Sequence, residues 1–239
     1  MHSATIGVRS RYCNDGKYAH HKYVELSIND LAIVMTEKNQ TTRKLLMTPR
    51  QIAVTAIFAA LGMIANGLGL ALPGYLPMVN FELNGTFMTI VTMAAGPLGG
   101  VVASILQSLT SAVGLIGAWA YWPHIFLVAT FYPAIWRMKS RVVKTVAWWA
   151  LTAVALFVQY FAWWWLYAAV FKLMTVQAMF YYNMFAGPYI VYLLIWGLIP
   201  WIVLMTTPRF VRPDWMFPGT KYIAAILALI SVALAILWW

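Results

Sequence analysis

The sequence predicts an all-α fold: a polytopic bundle of membrane-spanning helices. Three observations carry that prediction. Of 239 residues, 63% are hydrophobic and 9% charged, whereas a soluble domain is about 25% charged. Several stretches reach the ~20 apolar residues that a helix needs to cross a bilayer. The basic residues gather in short segments between those stretches, which is how helical membrane proteins are oriented.

The first 48 residues stand apart. They mix Arg9, Arg11, Lys17, Lys22, Lys38, Arg43 and Lys44 with His, Asn, Asp and Ser, and no apolar stretch of signal-peptide length follows the early charges. Residues 1–48 are therefore expected to form a cytoplasmic, disordered tail, and residues 49–239 the transmembrane domain. "MTEKNQTTRKLLMTPRQ", from Met35, reads like a natural protein start. Cys13, the single cysteine, permits no disulfide within the chain and no cysteine-based metal site.

Seven crossings are expected. Helix 1 covers residues 50–72, with Pro49 suited to a first helical turn, and "PGYLP" at 73–77 breaks it. Helix 2 covers 79–95 and ends at "GPLGG", 96–100. Helix 3 covers 98–118, followed by a turn at "WAYWPH". Helix 4 covers 124–138 with Pro133 inside it, and helix 5 covers 142–170. Helix 6 covers 188–205 with Pro200 inside it, and helix 7 covers 221–239.

Seven crossings put three basic segments on one side: Lys38, Arg43, Lys44 and Arg50; Arg137, Lys139, Arg141 and Lys144; Arg209, Arg212 and Lys221. Only Lys172 falls opposite. Lys and Arg prefer cytoplasmic loops, so the expectation is a multi-pass plasma-membrane protein, N-terminus cytoplasmic and C-terminus external. The formal net charge of +10 follows from that bias and implies no nucleic-acid partner.

Between Thr48 and Pro213 the one acidic residue is Glu82, in "FELNGTF". In the seven-crossing trace it sits near the external end of helix 2, beside Asn84 and after Tyr75. Trp119, Tyr121, Trp122 and His124 occupy the next external turn. Gln159, Tyr160, Trp163, Trp164, Trp165 and Tyr167 end helix 5 externally, and Tyr181, Tyr182 and Asn183 begin the next span. Trp and Tyr also collect at membrane interfaces as a belt, so each has a second reading; Trp148 and Trp149 are assigned to that belt outright. His124 reads equally as a hydrated loop residue, Asn183 as a helix cap and Glu82 as a carboxylate reaching water. An acid at membrane depth is costly, however, and its default reading is functional. The candidate substrate-binding set is Glu82, Asn84, Tyr75, Trp122, His124, Gln159, Trp163, Tyr182 and Asn183.

Enzyme signatures are missing from the sequence. There is no His-Glu-x-x-His, no paired intramembrane aspartate and no Gly-x-Ser-x-Gly. With one histidine in the membrane region, bis-histidine haem ligation is excluded. No Walker A motif is present, so ATP hydrolysis would belong to another chain. No catalytic residue, metal or cofactor is assigned.

Helix 1 reads "RQIAVTAIFAALGMIANGLGLAL", where Ala53, Ala56, Ala60 and then Asn66/Gly67 trace one stripe of small side chains. In membranes such stripes mark close helix contact, either inside the chain's own bundle or with a partner. With its N-terminal tail, "AVTAIFAALG", a Pro-rich loop and "AAGPLGGVVASILQSLTSAVG", the stretch from Pro49 to Met205 resembles the substrate-binding S component of energy-coupling factor (ECF) transporters. These are ATP-driven importers of vitamins and vitamin precursors. The extra seventh helix and the long tail depart from that family's usual six-helix core. The resemblance implies that Ala53, Ala56 and Ala60 contact an energising transmembrane subunit, itself joined to two ATPase subunits. It also implies that the chain captures a vitamin-like ligand outside and tips against that subunit to release it. Lys172 alone offers positive charge outside, which disfavours polyanions. A flat cationic or neutral ring suits Glu82 with Trp and Tyr faces, so thiamine or its pyrimidine precursor fits best, with cobalamin-like and other neutral ligands open. The competing reading is a non-catalytic structural or assembly subunit of a larger membrane complex.

Overall fold

The computed structural model describes residues 6–8, 24–26, 47–68, 71–73, 80–111, 113–185, 187–215, 217 and 219–239. The chain divides into two units, Met1–Leu46 and Met47–Trp239. Of the first, strands β1 (Ile6–Val8) and β2 (Val24–Leu26) are described, paired antiparallel with Gly7 opposite Glu25. The expectation of a disordered tail otherwise falls outside the described residues.

The second unit is the helical bundle. Helix α1 is Pro49–Gly67. Its start is written in the sequence: the Thr48 side chain accepts from the Gln51 amide, the Gln51 side chain accepts from the Thr48 amide at 2.8 Å, and Pro49 fills the first turn. A short antiparallel pair, β3 (Ala71–Pro73) and β4 (Asn80–Glu82), follows. Helix α2 is Asn84–Ser108, and a 3-10 helix, Gly114–Tyr121, leads into α3, Trp122–Arg137. Helix α4, Arg141–Trp165, is capped by the Ser140 hydroxyl and continues as a π turn, Leu166–Val170. Then come α5 (Val176–Phe185), α6 (Pro188–Thr206) and α7 (Thr220–Leu237). Six segments are long and apolar enough to cross a membrane: 49–67, 84–108, 114–137, 141–170, 188–206 and 220–237.

One of those six doubles back. Gly96 has φ +79° and ψ −169°, which no helix contains. A Cβ built on Gly100 would lie 2.5 Å from Thr92 Oγ1, and one on Gly99 would lie 3.2 Å from Val91 Cγ1. Eight residues of continuous helix would separate these positions by about 12 Å. Limb 84–95 runs away from Tyr121, to which Asn84 Nδ2 donates at 3.1 Å. Limb 97–108 returns, so that Ser104 Oγ accepts from Trp122 Nε1 at 3.3 Å. The expected helices 2 and 3 are therefore the limbs of a hairpin turning at the predicted "GPLGG" site. Each limb is about 18 Å long at 1.5 Å per residue, shorter than the ~30 Å hydrocarbon layer. The non-helical backbone at the tip is buried in protein, the condition under which it is tolerated at membrane depth.

The helix ends sort into two groups. At the basic end, Arg50 Nη2 donates to the carbonyls of Arg209 (2.9 Å) and Phe210 (2.5 Å), and Nη1 pairs with Asp214 at 3.4 Å. Trp136 Nε1 donates to Pro208 O and Tyr132 Oη to Val211 O. Trp215, from the same α6–α7 loop, stacks on Tyr132 with centroids 6.2 Å apart and fills the space against Gly96. At the opposite, aromatic end, Tyr121 meets Trp163 edge-on at 5.1 Å and Phe180 meets Trp239 at 5.4 Å. The bundle thus starts at one end and finishes at the other.

Several expectations change. Helix 1 stops at Gly67 rather than residue 72, and the expected helix 3 ends at Ser108, with a separate 3-10 segment after Thr110. Tyr181, Tyr182 and Asn183 do not begin the sixth span; they lie on the separate short helix α5. Trp148 is no interfacial belt residue: it is fully buried and donates to Gly197 O at 3.0 Å.

The hairpin tip generates a prediction. Gly96→Ala places a Cβ in left-handed backbone and against the Trp215 ring, and it should lower stability by about 1–3 kcal/mol. Gly67→Ala, where nothing lies within 4 Å, serves as the control and should leave the melting temperature in detergent unchanged. Equal melting temperatures for both variants would refute the turn.

Candidate functional site

The aromatic end holds a contiguous nest of rings. From α3, His124 meets Trp196 of α6 edge-on at 5.7 Å. Trp196 meets Tyr121 at 6.0 Å and Tyr192 at 5.8 Å. Tyr121 leads to Trp163 on α4, and Tyr192 leads to Tyr160 at 6.1 Å, which stacks on Trp164 at 5.7 Å. The sequence builds this nest by helical spacing. Tyr192 and Trp196 are four apart on α6, as are Gln159 and Trp163, and Tyr160 and Trp164, on α4, so each pair shares a face. Gly85 makes room: a Cβ there would overlap the Trp196 ring.

Polar groups are buried among these rings, and several lack partners. His124 is 0% exposed, Gln159 2% and Tyr160 8%. His124 Nδ1, Gln159 Oε1 and Tyr160 Oη make no hydrogen bond. The Trp164 indole N–H is likewise buried without a partner; such an atom costs about 1–3 kcal/mol, so four in one region need a reason. The other His124 nitrogen, Nε2, lies 3.1 Å from Thr89 Oγ1. Thr89 spends its own hydroxyl hydrogen on Gly85 O, at 2.7 Å. Its oxygen therefore accepts from His124, which fixes the proton of a neutral imidazole on Nε2 and leaves Nδ1 a bare acceptor. Among the described residues the buried polar set contains no Asp, Glu, Lys or Arg.

The sequence-predicted residues divide accordingly. His124 and Trp163 belong to the nest, Asn84 joins it through Tyr121, and Gln159 is buried one helical turn from Trp163 on the same side of α4. His124 is not a hydrated loop residue; it sits within the first turn of α3, fully buried. Of the three consecutive tryptophans, Trp164 is buried while Trp163 and Trp165 are half-buried. Trp122 spends its indole N–H on Ser104 rather than in the nest. Asn183 is buried on α5 and donates to Met179 O at 2.8 Å, so it caps nothing. Tyr182 is half-buried with an unpartnered hydroxyl, and burial raises its pKa above the usual phenol value. Tyr75 lies outside the described residues, and for Glu82 the backbone alone is described, in β4 two residues before Asn84.

Thr89, Tyr192 and Trp196 went unpredicted. Trp196 sits in "VYLLIWGLIP", where nothing local distinguishes an inward tryptophan from a lipid-facing one. Among the described residues, no three His, Cys, Asp or Glu side chains gather in a group that could hold a metal. The alanine stripe is plain in the structure: Ala53, Ala56 and Ala60 are exposed, flanked by exposed Ile52, Ile57, Leu61 and Ile64. The opposite face of α1, with Val54, Ala59, Gly62 and Ala65, packs on the bundle.

No family model matches the chain, and no curated protein or solved structure matches it.

If the nest is a site rather than a structural core, removing His124 should not unfold the protein. His124→Phe deletes an orphaned acceptor, and Thr89 keeps its bond to Gly85 O. The expected change in stability, measured by thermal unfolding in detergent, is within about 1 kcal/mol. A loss above roughly 2 kcal/mol would make the imidazole a structural group.

Proposed function

We propose that this chain is the substrate-binding membrane subunit of an ATP-driven importer of the energy-coupling factor kind, taking up a vitamin or vitamin precursor. The observation that carries the reading is the nest at the aromatic end. Buried hydrogen-bonding atoms face no partner there, within rings that suit a flat ligand. Two further features support it. The alanine stripe is left outside the bundle, so its close-packing capacity is free for a partner helix. The sequence carries no nucleotide-binding motif, so the energy would come from ATPase subunits on other chains.

In this reading the basic end faces the cytoplasm by the preference of Lys and Arg for that side, and the aromatic end faces outside. Ligand enters at the end where Asn84, Tyr121 and Trp163 lie and is released after the subunit reorients against its partner.

Two measurements bear on this directly. Ala60→Trp should abolish assembly with the energising subunit and uptake into cells, while the purified chain still binds ligand. Assembly at wild-type level in that variant would return the stripe to lipid contact. A reporter fused after Trp239 should be accessible only from outside intact cells; a cytoplasmic reporter would overturn the orientation.

A further inference from the structure

We infer that the ligand of the nest is an uncharged planar nitrogen heterocycle carrying at least two N–H donors, as an amino-substituted pyrimidine does. This rests on the reading of the chain as a binding subunit and goes beyond it to the ligand's chemistry.

The hydrogen-bond inventory sets the donor count. His124 Nδ1 is an acceptor, because Thr89 has fixed the imidazole proton on Nε2. Gln159 Oε1 can only accept and has no donor. Two buried acceptors therefore await hydrogens from the ligand, the buried Trp164 indole N–H awaits an acceptor, and the Tyr160 hydroxyl can donate or accept. A molecule that is all acceptors, such as a carboxylate or phosphate, would satisfy the Trp164 N–H but set lone pairs against His124 Nδ1 and Gln159 Oε1. An amino group beside a ring nitrogen supplies donors to Nδ1 and Oε1 and offers an acceptor to the phenol.

Charge sets the second constraint. Among the described residues nothing buried carries a carboxylate or an ammonium. A charged ligand entering that nest would lose its hydration without gaining a counter-ion from the described side chains, and burial of an unpaired charge is far costlier than burial of a hydrogen-bonded neutral group. The flat shape follows from the walls: Trp196, Tyr121, Tyr192, Tyr160 and Trp163 offer ring faces and edges. The sequence alone left a cationic or a neutral ring open beside Glu82; the nest favours the neutral one.

The test uses the full-length chain purified in detergent, with calorimetric titration of three probes: 4-amino-5-hydroxymethyl-2-methylpyrimidine, nicotinamide and the thiamine cation. Small molecules that co-purify with the chain are identified in parallel by mass spectrometry. The aminopyrimidine is expected to bind at least tenfold more tightly than thiamine, and any co-purifying compound should be neutral with two or more N–H groups. Gln159→Leu and His124→Phe should each weaken aminopyrimidine binding at least tenfold, with melting temperatures confirming that both variants fold. Glu82→Gln should change it less than twofold. Preferential binding of thiamine with dependence on Glu82, or a charged co-purifying compound, would overturn the ligand class while leaving a binding subunit intact. No binding of any probe and no co-purifying compound would overturn the binding reading itself, and the orphaned atoms would then be hydrated structure.

Discussion

The reversal at Gly96 is the constraint on which the rest of the bundle depends. A straight helix through 84–108 would carry the chain once across, placing α3, α4 and α6 the other way up. The loop with Lys139 and Arg141 would then lie opposite Arg50. With the hairpin, Arg50 reaches the carbonyls of the α6–α7 loop, and the basic segments share one end. The turn needs a glycine for two reasons: the backbone is left-handed, and the space where a Cβ would stand belongs to Trp215. Pro97 follows naturally, since its missing N–H and fixed φ suit the start of the returning limb.

A short hairpin leaves volume to fill at both ends, and the two ends fill it differently. At the basic end, protein does so: Phe210 packs on Phe58, and Trp215 on Tyr132 and the tip, anchored by backbone carbonyls that accept from Arg50, Trp136 and Tyr132. One buried hydroxyl there, Thr55 Oγ1 beside Gly99, has no partner. At the aromatic end the rings touch one another, but His124, Gln159 and Tyr160 keep unmatched polar atoms. That cluster of unmatched atoms at the aromatic end suits the binding role proposed above. It is less natural in a scaffold subunit, whose core gains nothing from buried orphans.

The outer surface of α1 belongs to the same logic. A helix that packs one face with Val54, Ala59, Gly62 and Ala65, and leaves Ala53, Ala56 and Ala60 outward, has small residues where lipid would accept large ones equally well. Lipid-facing positions exert little selection for size, because hydrocarbon tails are as apolar as leucine. The stripe is thus informative only because the bundle does not use it.

Composition and the placement of basic residues determined the class of this protein and the tendency of its loops to share a side, because the bilayer imposes length, apolarity and charge bias on every span independently of tertiary contacts. "GPLGG" likewise announced a break, since glycine and proline act locally. The start of α1 was legible in Thr48, Pro49 and Gln51 for the same reason. Only the tertiary structure decided that the limbs beside Gly96 fold back on each other, that Trp148 turns inward to Gly197, and that Asn183 spends its amide on its own helix. Those outcomes depend on which face of an all-apolar helix meets a neighbour, and a helix hydrophobic on every side carries no amphipathic signal to say so. The nest is the sharpest case. His124, Gln159 and Trp163 stood out singly as polar or aromatic residues near one end, but Trp196 and Thr89 joined them through contacts across more than 30 residues of chain, and no local pattern encodes a partner at that distance.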